Sequence, residues 1–244
     1  MSLPRLSIPQ FSTTLPSTGK EVVYRAFVVR EEKILLMAAE AKDQKSMVTA
    51  IKQVLQACII SPADLKIDKL AFFDIEYLFL QVRAKSIGET VKLAFKHKDG
   101  KRRTGELCDT SVEIEINLEA LSPPIPTSDF STITLSPTMT LELRYPTLDE
   151  IIAISSDKGG PENPNKIFDL LAACIVRVVD GDEVHIPDTR KEALQFIESL
   201  PHQFTQSINA FIEHMPTVSL DINYVCTGCG DTETIALRGL KDFF

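Results

Sequence analysis

Apolar residues in this chain recur with two different periods, and the two are interleaved from one end to the other. Between Met47 and Ile59 they follow the 3.6-residue spacing of one helix face, and the pattern ends before Pro62. Between Val91 and Phe95 they alternate with polar residues, as in a strand with one face exposed. No repeat of solenoid period and no low-complexity tract accompanies them. The sequence therefore predicts an α+β fold in which small antiparallel sheets and hairpins pack with helices.

The helical segments are marked by caps as well as by periodicity. Thr147 with Glu150, and Thr189 with Glu192, have capping-box spacing ahead of apolar runs. The stripe that ends near residue 82 is followed by cations and then by Gly88, which is typical of a helix C-terminus. We expect about five to six helices, beginning near residues 46, 72, 147, 163, 189 and 204.

Strand patterns come in pairs. The alternating segments 91–95 and 112–118 predict an antiparallel hairpin with a long basic tip around Asp99-Gly100. Alternation resumes at 133–145, where we expect the sheet to continue. A last strand at 218–224 leads into a closing, zinc-ribbon-like hairpin that carries Cys226 and Cys229.

Proline clusters and shifts in pattern suggest where the chain divides. The predicted regions are an extended N-terminal arm at 1–20, an α+β region with the basic hairpin at 21–120, a proline-rich crossing segment with strands at 121–146, a helical region at 147–216, and the Cys-x-x-Cys hairpin with a Phe-Phe tail at 217–244. Arms of the first kind either move freely or clasp a neighbour.

Charge and targeting signals narrow the function classes. The 26 Lys and Arg residues are outnumbered by 34 Asp and Glu, and a net charge of −8 argues against broad binding to phosphate backbones. The N-terminus has no secretory pattern, and no window approaches 18 consecutive apolar residues. We therefore expect a cytosol-like compartment.

The cysteines offer half of a metal site. Cys226 and Cys229 have the two-residue spacing of one zinc-ribbon knuckle, but structural zinc requires four ligands. His97 and Cys108 are the other candidates, and they do not form a second close pair. A redox pair should stand at a helix N-terminus, whereas this one lies between strands. We expect no cofactor, with zinc at Cys226 and Cys229 as the alternative to a knuckle kept only for its turn geometry.

The tip of the first hairpin concentrates positive charge at Lys96, Lys98, Lys101, Arg102 and Arg103. Such a patch could bind phosphate or an acidic protein face. It could equally be a solvated loop that prevents a sheet edge from pairing. No aromatic residue is interleaved for base stacking, so nucleic acid is not the expected partner.

Catalytic signatures are missing from the sequence. The four histidines fit no metalloprotease spacing, and there is no phosphate-loop or nucleophile-elbow pattern. We therefore predict that the chain is not an enzyme and has no small-molecule substrate.

Three stretches together resemble a known family. They are "LPSTGKEVVYRAFVVREEKILLMAAE" (15–40), "FFDIEYLFLQVRAKSIGE" (72–89) and "FIEHMPTVSLDINYVCTGCGDTETIALRGLKDFF" (211–244). Their order is similar to that in the small baseplate proteins of T4-like contractile-tailed bacteriophages, which are related to the baseplate hub subunit and the hub assembly factor. The resemblance implies a virion structural protein of the inner baseplate or hub that binds other baseplate and tail proteins and passes through the host cytoplasm during assembly.

Contact residues follow from this reading. Two large apolar side chains at a chain end gain little unless something covers them. The predicted partner-binding residues are Phe243, Phe244, Arg5, Phe11, Lys98, Lys101, Arg102 and Arg103. We also expect the charged cluster 30–33 to form a polar rim and the arm to add a strand to a neighbour. The alternatives are an assembly chaperone absent from the virion and a zinc-ribbon protein that binds nucleic acid.

Overall fold

The α+β prediction is confirmed by the fold. The computed structural model describes residues 6–41, 44–96, 108, 110–155 and 164–240. Within these residues the chain forms seven α-helices and eleven strands, and the strands are arranged in four small antiparallel sheets. The expectation of five to six helices was one helix short.

The first sheet is built from three strands, β1 (Gln10–Thr14), β2 (Glu21–Arg25) and β3 (Ile59–Ser61), with β2 in the middle. Between β2 and β3 the chain forms two helices, α1 (Val29–Ala41) and α2 (Gln44–Cys58). The apolar face of α2 joins the sheet in the largest core cluster, which confirms the helix predicted from the stripe starting at residue 46.

The N-terminal arm requires a correction. Residues 10–14 are extended as predicted, but they pair along their whole length with β2 of the same chain. Leu15 is buried in the core, and both the backbone N–H and the hydroxyl of Ser17 donate to the Asp74 carboxylate. The segment had no visible strand pattern because most residues of this strand are polar. It is held in place by contacts with residues that are distant in sequence.

Helix α1 is a second correction, because the charged cluster 30–33 was expected to form a polar rim and Glu31 is buried instead. The Glu31 carboxylate accepts a hydrogen bond from the Val28 N–H at 2.9 Å, and only 1% of its side chain is exposed. The carboxylate therefore satisfies a donor at the helix start. Because no Ser, Thr, Asp or Asn precedes the helix, the usual N-cap signal was missing.

Helix α3 (Phe72–Ser86) lies at the centre of the fold, and a helix is predicted there from the sequence. Ile75, Leu78 and Val82 join the first core cluster, whereas Leu80 and Ala84 belong to a separate one on another face. Helices that are apolar on most sides are found buried in this way.

The predicted basic hairpin is present as β4 (Thr90–Lys96) and β5 (Ser111–Asn117), which pair in register from Thr90 opposite Asn117 to Lys96 opposite Ser111. Most of the loop that joins the two strands lies outside the described residues.

A separate four-stranded sheet follows, where we had expected the earlier sheet to continue. Its strands, in spatial order, are β6 (Thr132–Thr134), β7 (Met139–Leu143), β8 (Ile175–Asp180) and β9 (Glu183–His185). The helix predicted to begin near residue 163 ends at Cys174, and Ile175 begins β8. The β-branched residues Ile175, Val176, Val178 and Val179 favour a strand, and a turn with Gly181 at a φ of +59° follows it.

The helices of this half of the chain are α4 (Leu148–Ser155), α5 (Pro164–Cys174), α6 (Arg190–Ser199) and α7 (Thr205–Glu213). Leu148 of α4 packs into the first core cluster, whereas the other three helices cover the second sheet. The helices predicted at both capping boxes are confirmed, and each Thr–Glu pair forms a hydrogen bond of the box. The Thr147 N–H donates to Glu150 at 2.8 Å, and Thr189 accepts from the Glu192 N–H at 3.2 Å. Residues of α5, α6 and α7 pack with β7 and β8 around Leu141, Leu171 and Phe211.

The chain closes with the predicted hairpin, β10 (Ser219–Val225) and β11 (Thr232–Arg238), paired over seven positions. Leu237 of this hairpin and Ile116 of β5 pack with Leu80 of α3 in one cluster. The two hairpins therefore share a core with the central helix.

Candidate functional site: a three-cysteine cluster

Three cysteines from two hairpins meet in one small volume. The sulfur atoms of Cys108 and Cys226 are 3.6 Å apart although 118 positions separate the residues in sequence. With Cys229 included, all three sulfur atoms lie within 4.8 Å of one another. All five cysteines are in the described part of the chain, and none forms a disulfide.

The turn that joins β10 to β11 holds two of these thiols together. The Cys226 N–H donates to the carbonyl of Asp231, and the Cys226 carbonyl accepts from the Gly230 N–H, both at 2.8 Å. Gly230 has a φ of +84°, a left-handed conformation that glycine adopts without strain. This tight turn places the Cys226 and Cys229 side chains on the same side of the loop.

Close approach of the second hairpin explains the glycine at position 228. A Cβ atom there would lie 2.0 Å from Thr110 Oγ1 and 3.1 Å from Cys108 Sγ. Cys108 in turn donates its S–H to Thr110 Oγ1 at 3.4 Å. Only a residue without a side chain allows the cysteine turn to lie against Cys108 and Thr110.

The cluster is buried on one side and open on the other. Cys108 and Cys226 are 3% and 1% exposed, whereas Cys229 is half-buried. Tyr224, Val112 and Ile235 pack around them. Burial raises the pKa of Cys229 to about 12, and hydrogen bonds shared with Cys226 and Cys108 act in the same direction against that from the Asp231 backbone.

Sequence reasoning named all three cysteines but did not place them together. Cys108 was considered as a further ligand and set aside because it has no close partner in sequence. Its contact with Cys226 depends on how the two hairpins pack, and no local pattern carries that information. His97, the other candidate, lies outside the described residues, and a zinc ribbon as such is not confirmed.

Most of the predicted partner-binding residues are outside the described part of the chain. This applies to Arg5, Lys98, Lys101, Arg102, Arg103, Phe243 and Phe244, so their roles stay predictions. Phe11 is described: its ring is 5.8 Å from that of Tyr24, and the Lys85 ammonium lies 5.3 Å from its centre. Phe11 thus packs against its own chain, and its role in partner binding stays a prediction.

Helix α1 carries an apolar surface that sequence reasoning did not single out. Val29 is 79% exposed, and Leu36 and Met37 are each 60% exposed. Val29 and Leu36 are seven positions apart, so they lie on the same face of the helix. In this helix the charged residues 30–33 precede an apolar run at 34–39, and Leu36 and Met37 of that run face outward.

None of the described helices has the length and apolar character needed to cross a bilayer.

The fold is an α+β assembly of hairpins around a central helix, and no solved structure matches it. A model of the T4 bacteriophage base plate protein family matches residues 8–244, and the chain belongs to this family. It is 27% identical over 230 residues to the baseplate hub assembly protein gp26 of Enterobacteria phage T4, with 93% of each chain covered. The predicted family and the predicted structural role in a phage baseplate are confirmed.

Proposed function

We propose that this chain holds neighbouring proteins of the inner baseplate or hub in register, as a subunit of the tail. The observation that carries the proposal is the family match, which spans nearly the whole chain from residue 8 to residue 244. A role of this kind consists of binding and positioning and requires no catalytic step. It places the chain in the virion baseplate, after passage through the host cytoplasm during assembly.

The surface of α1 supports this proposal. Exposed apolar side chains that share a helix face are common where a protein binds another protein. Here Val29 and Leu36 share such a face and charged Lys33 lies between them, so the face offers both apolar and charged groups to a partner. We assign this face to contact with another baseplate protein of the same tail.

A second candidate is an assembly factor that promotes hub formation and then leaves. The name of the relative in phage T4, baseplate hub assembly protein, favours this alternative. A departing factor would use the same surfaces, with weaker and faster-dissociating contacts.

Particle composition separates the two candidates. In the phage that encodes this chain, we would delete the gene, restore it on a plasmid with an affinity tag, and quantify the protein by mass spectrometry. Purified mature tails and isolated baseplate intermediates would be measured side by side. A fixed copy number in mature tails supports the subunit. Presence in intermediates alone, with a tail defect on deletion, supports the assembly factor. Normal tails without the gene would overturn both.

A further inference from the structure

The spacing of the three sulfur atoms is that of ligands around one metal ion. Sulfur atoms bound at about 2.3 Å to a tetrahedral zinc ion are separated by about 3.8 Å. The Cys108 and Cys226 sulfur atoms are 3.6 Å apart, and the third lies within 4.8 Å of both. A disulfide would need a separation of about 2.05 Å. The cluster thus has the dimensions of a thiolate metal site.

We propose that Cys108, Cys226 and Cys229 bind a single Zn²⁺ ion, which joins the β4–β5 hairpin to the β10–β11 hairpin. Zn²⁺ matches the donor set because thiolates are soft ligands and because tetrahedral sites of cysteine are characteristic of it. Each thiol would release its proton to solvent as its sulfur binds the ion. Tetrahedral zinc takes four ligands, so a water molecule or a further donor would complete the site.

Two features of the surroundings favour a built site over chance proximity. The turn from Cys226 to Gly230 is closed by two backbone hydrogen bonds, so both of its thiols are held in place before any ion arrives. Gly228 leaves the space that a Cβ would otherwise fill against Cys108 and Thr110. Pre-organised ligands lose little freedom on binding, which favours affinity.

The remaining cysteines provide an internal comparison. Cys58 and Cys174 are fully buried, each in a core cluster whose described buried residues include no other cysteine. They show how this chain uses cysteine as a small core residue. Cys108, Cys226 and Cys229 differ because their sulfur atoms face one another, an arrangement that core packing does not require.

Metal content of the full-length chain tests the proposal. Protein purified without chelator should contain about one zinc ion per chain by mass spectrometry of the metal. Cys108→Ser and Cys226→Ser should each lower the bound zinc at least tenfold in competition with a chromophoric chelator. Cys58→Ser, which changes a buried cysteine outside the cluster, is the matched control and should keep the zinc.

A measurement on the unaltered chain avoids dependence on variants that fail to fold. After removal of metal, titration with Co²⁺ should give thiolate-to-cobalt charge-transfer bands that saturate at one equivalent, and Zn²⁺ should displace them. Zinc should also raise the thermal unfolding midpoint of the apo chain, whereas Mg²⁺ should not.

Two results would overturn the proposal. One is a reconstituted chain that retains no stoichiometric zinc after gel filtration and gives no charge-transfer bands with Co²⁺. The other is a folded Cys108→Ser variant with unchanged zinc affinity, which would show that Cys108 does not bind the ion and that the two hairpins are not joined by it. Either failure leaves the role in the baseplate untouched, because that role rests on the family match.

Discussion

The Glu31 carboxylate lies 3.1 Å from the Arg25 guanidinium, in a position where only 1% of the glutamate side chain is exposed. Arg30 reaches the same oxygen at 2.9 Å, and the Val28 N–H donates to the other oxygen. Burial would raise the pKa of Glu31, but these hydrogen bonds outweigh it and lower the pKa to about 2. One acidic side chain thus ties the end of β2 to the start of α1.

Replacing this carboxylate should destabilise the chain. Glu31→Gln removes the charge that Arg25 faces, and a hydrogen bond to a charged group contributes about 1.5–3 kcal/mol. We expect a loss of this size in the free energy of unfolding, measured with urea. Glu40→Gln on the exposed part of the same helix is the control and should change stability by less than about 0.5 kcal/mol. Equal stability of the two variants would contradict the role given to Glu31.

The pH dependence of that loss has a definite sign. Because the pKa of Glu31 is lower in the folded state than its usual 4.5, its contribution is complete above that value. It should disappear as the pH falls from about 4.5 towards 2. Urea unfolding of the wild type and Glu31→Gln at a series of pH values should therefore show curves that converge on the acidic side. Curves that remain parallel would show that folding does not lower the pKa of this carboxylate.

For Glu76, the contribution to stability should change with pH in the opposite direction. It is fully buried in α3 and accepts hydrogen bonds from the Thr217 hydroxyl and from the N–H groups of Val218 and Leu240. Burial nevertheless raises the pKa of Glu76. A raised pKa means that ionisation costs folding free energy, so this group favours the folded state more at acidic than at neutral pH.

Two substitutions of Glu76 test this assignment. Glu76→Ala should lower the free energy of unfolding by about 3 kcal/mol, because it leaves buried donors without an acceptor. Glu76→Gln keeps an acceptor oxygen and should cost less, and the wild type should gain stability relative to it as the pH falls through the raised pKa. Urea unfolding at two pH values measures both effects, and a constant difference between wild type and Glu76→Gln would contradict the assignment.

Much of the fold could be predicted from local signals, and the elements that were missed have physical explanations. The helices with capping boxes at Thr147 and Thr189 were predicted because the caps are short-range interactions. Helix α1 was missed because its carboxylate acts from inside the helix without a conventional N-cap. The strand β8 was missed because β-branched residues continued an apolar stripe from α5.

Only the Cys226–Cys229 part of the cysteine cluster could be predicted from the sequence. Cys226 and Cys229 are close in sequence, and their turn follows from the glycines between and after them. Cys108 reaches them only because both hairpins pack against α3, a relationship that depends on the side chains of all three elements. Long-range contacts of this kind leave no periodic signal in the sequence.

The contact between the hairpins makes Gly228 sensitive to substitution. Gly228→Ala would place a methyl group 2.0 Å from Thr110 Oγ1, so the hairpins must separate, and such overpacking costs about 1–3 kcal/mol. Gly19→Ala is the control: it has a φ of +67° but no atom within 4 Å, and it should cost only the backbone strain of about 1 kcal/mol.

A double-mutant cycle locates the effect at the contact. Thr110→Ala removes the hydroxyl that the new methyl group would meet, so the combined variant should be more stable than the sum of the two single losses predicts. Thermal or urea unfolding gives the coupling. Strict additivity would show that Gly228 matters for another reason.

The pairing of β1 with β2 predicts how the N-terminal segment of the isolated chain resists proteolysis. Residues 10–14 are hydrogen-bonded to β2, and Ser17 is held by Asp74, so cleavage between residues 10 and 17 requires local unfolding. We expect limited proteolysis to leave this stretch intact, and Ser17→Ala to make it more susceptible without changing global secondary structure. Rapid cleavage within it in the wild type would restore the interpretation of a free arm that awaits a neighbour.

The exposed face of α1 should matter for assembly and not for folding. Val29 and Leu36 are largely exposed, so replacing both with serine should change the stability of the isolated chain by less than about 1 kcal/mol. If another baseplate protein covers this face, the same variant should restore few infectious particles when it is supplied to a phage that lacks the gene. Ile186→Ser is the matched control, since Ile186 is 68% exposed on a different part of the surface. Wild-type particle yields from the α1 variant would place the baseplate contact elsewhere on the chain. Equal losses from both variants would show that exposed apolar surface matters in general, without preference for this helix.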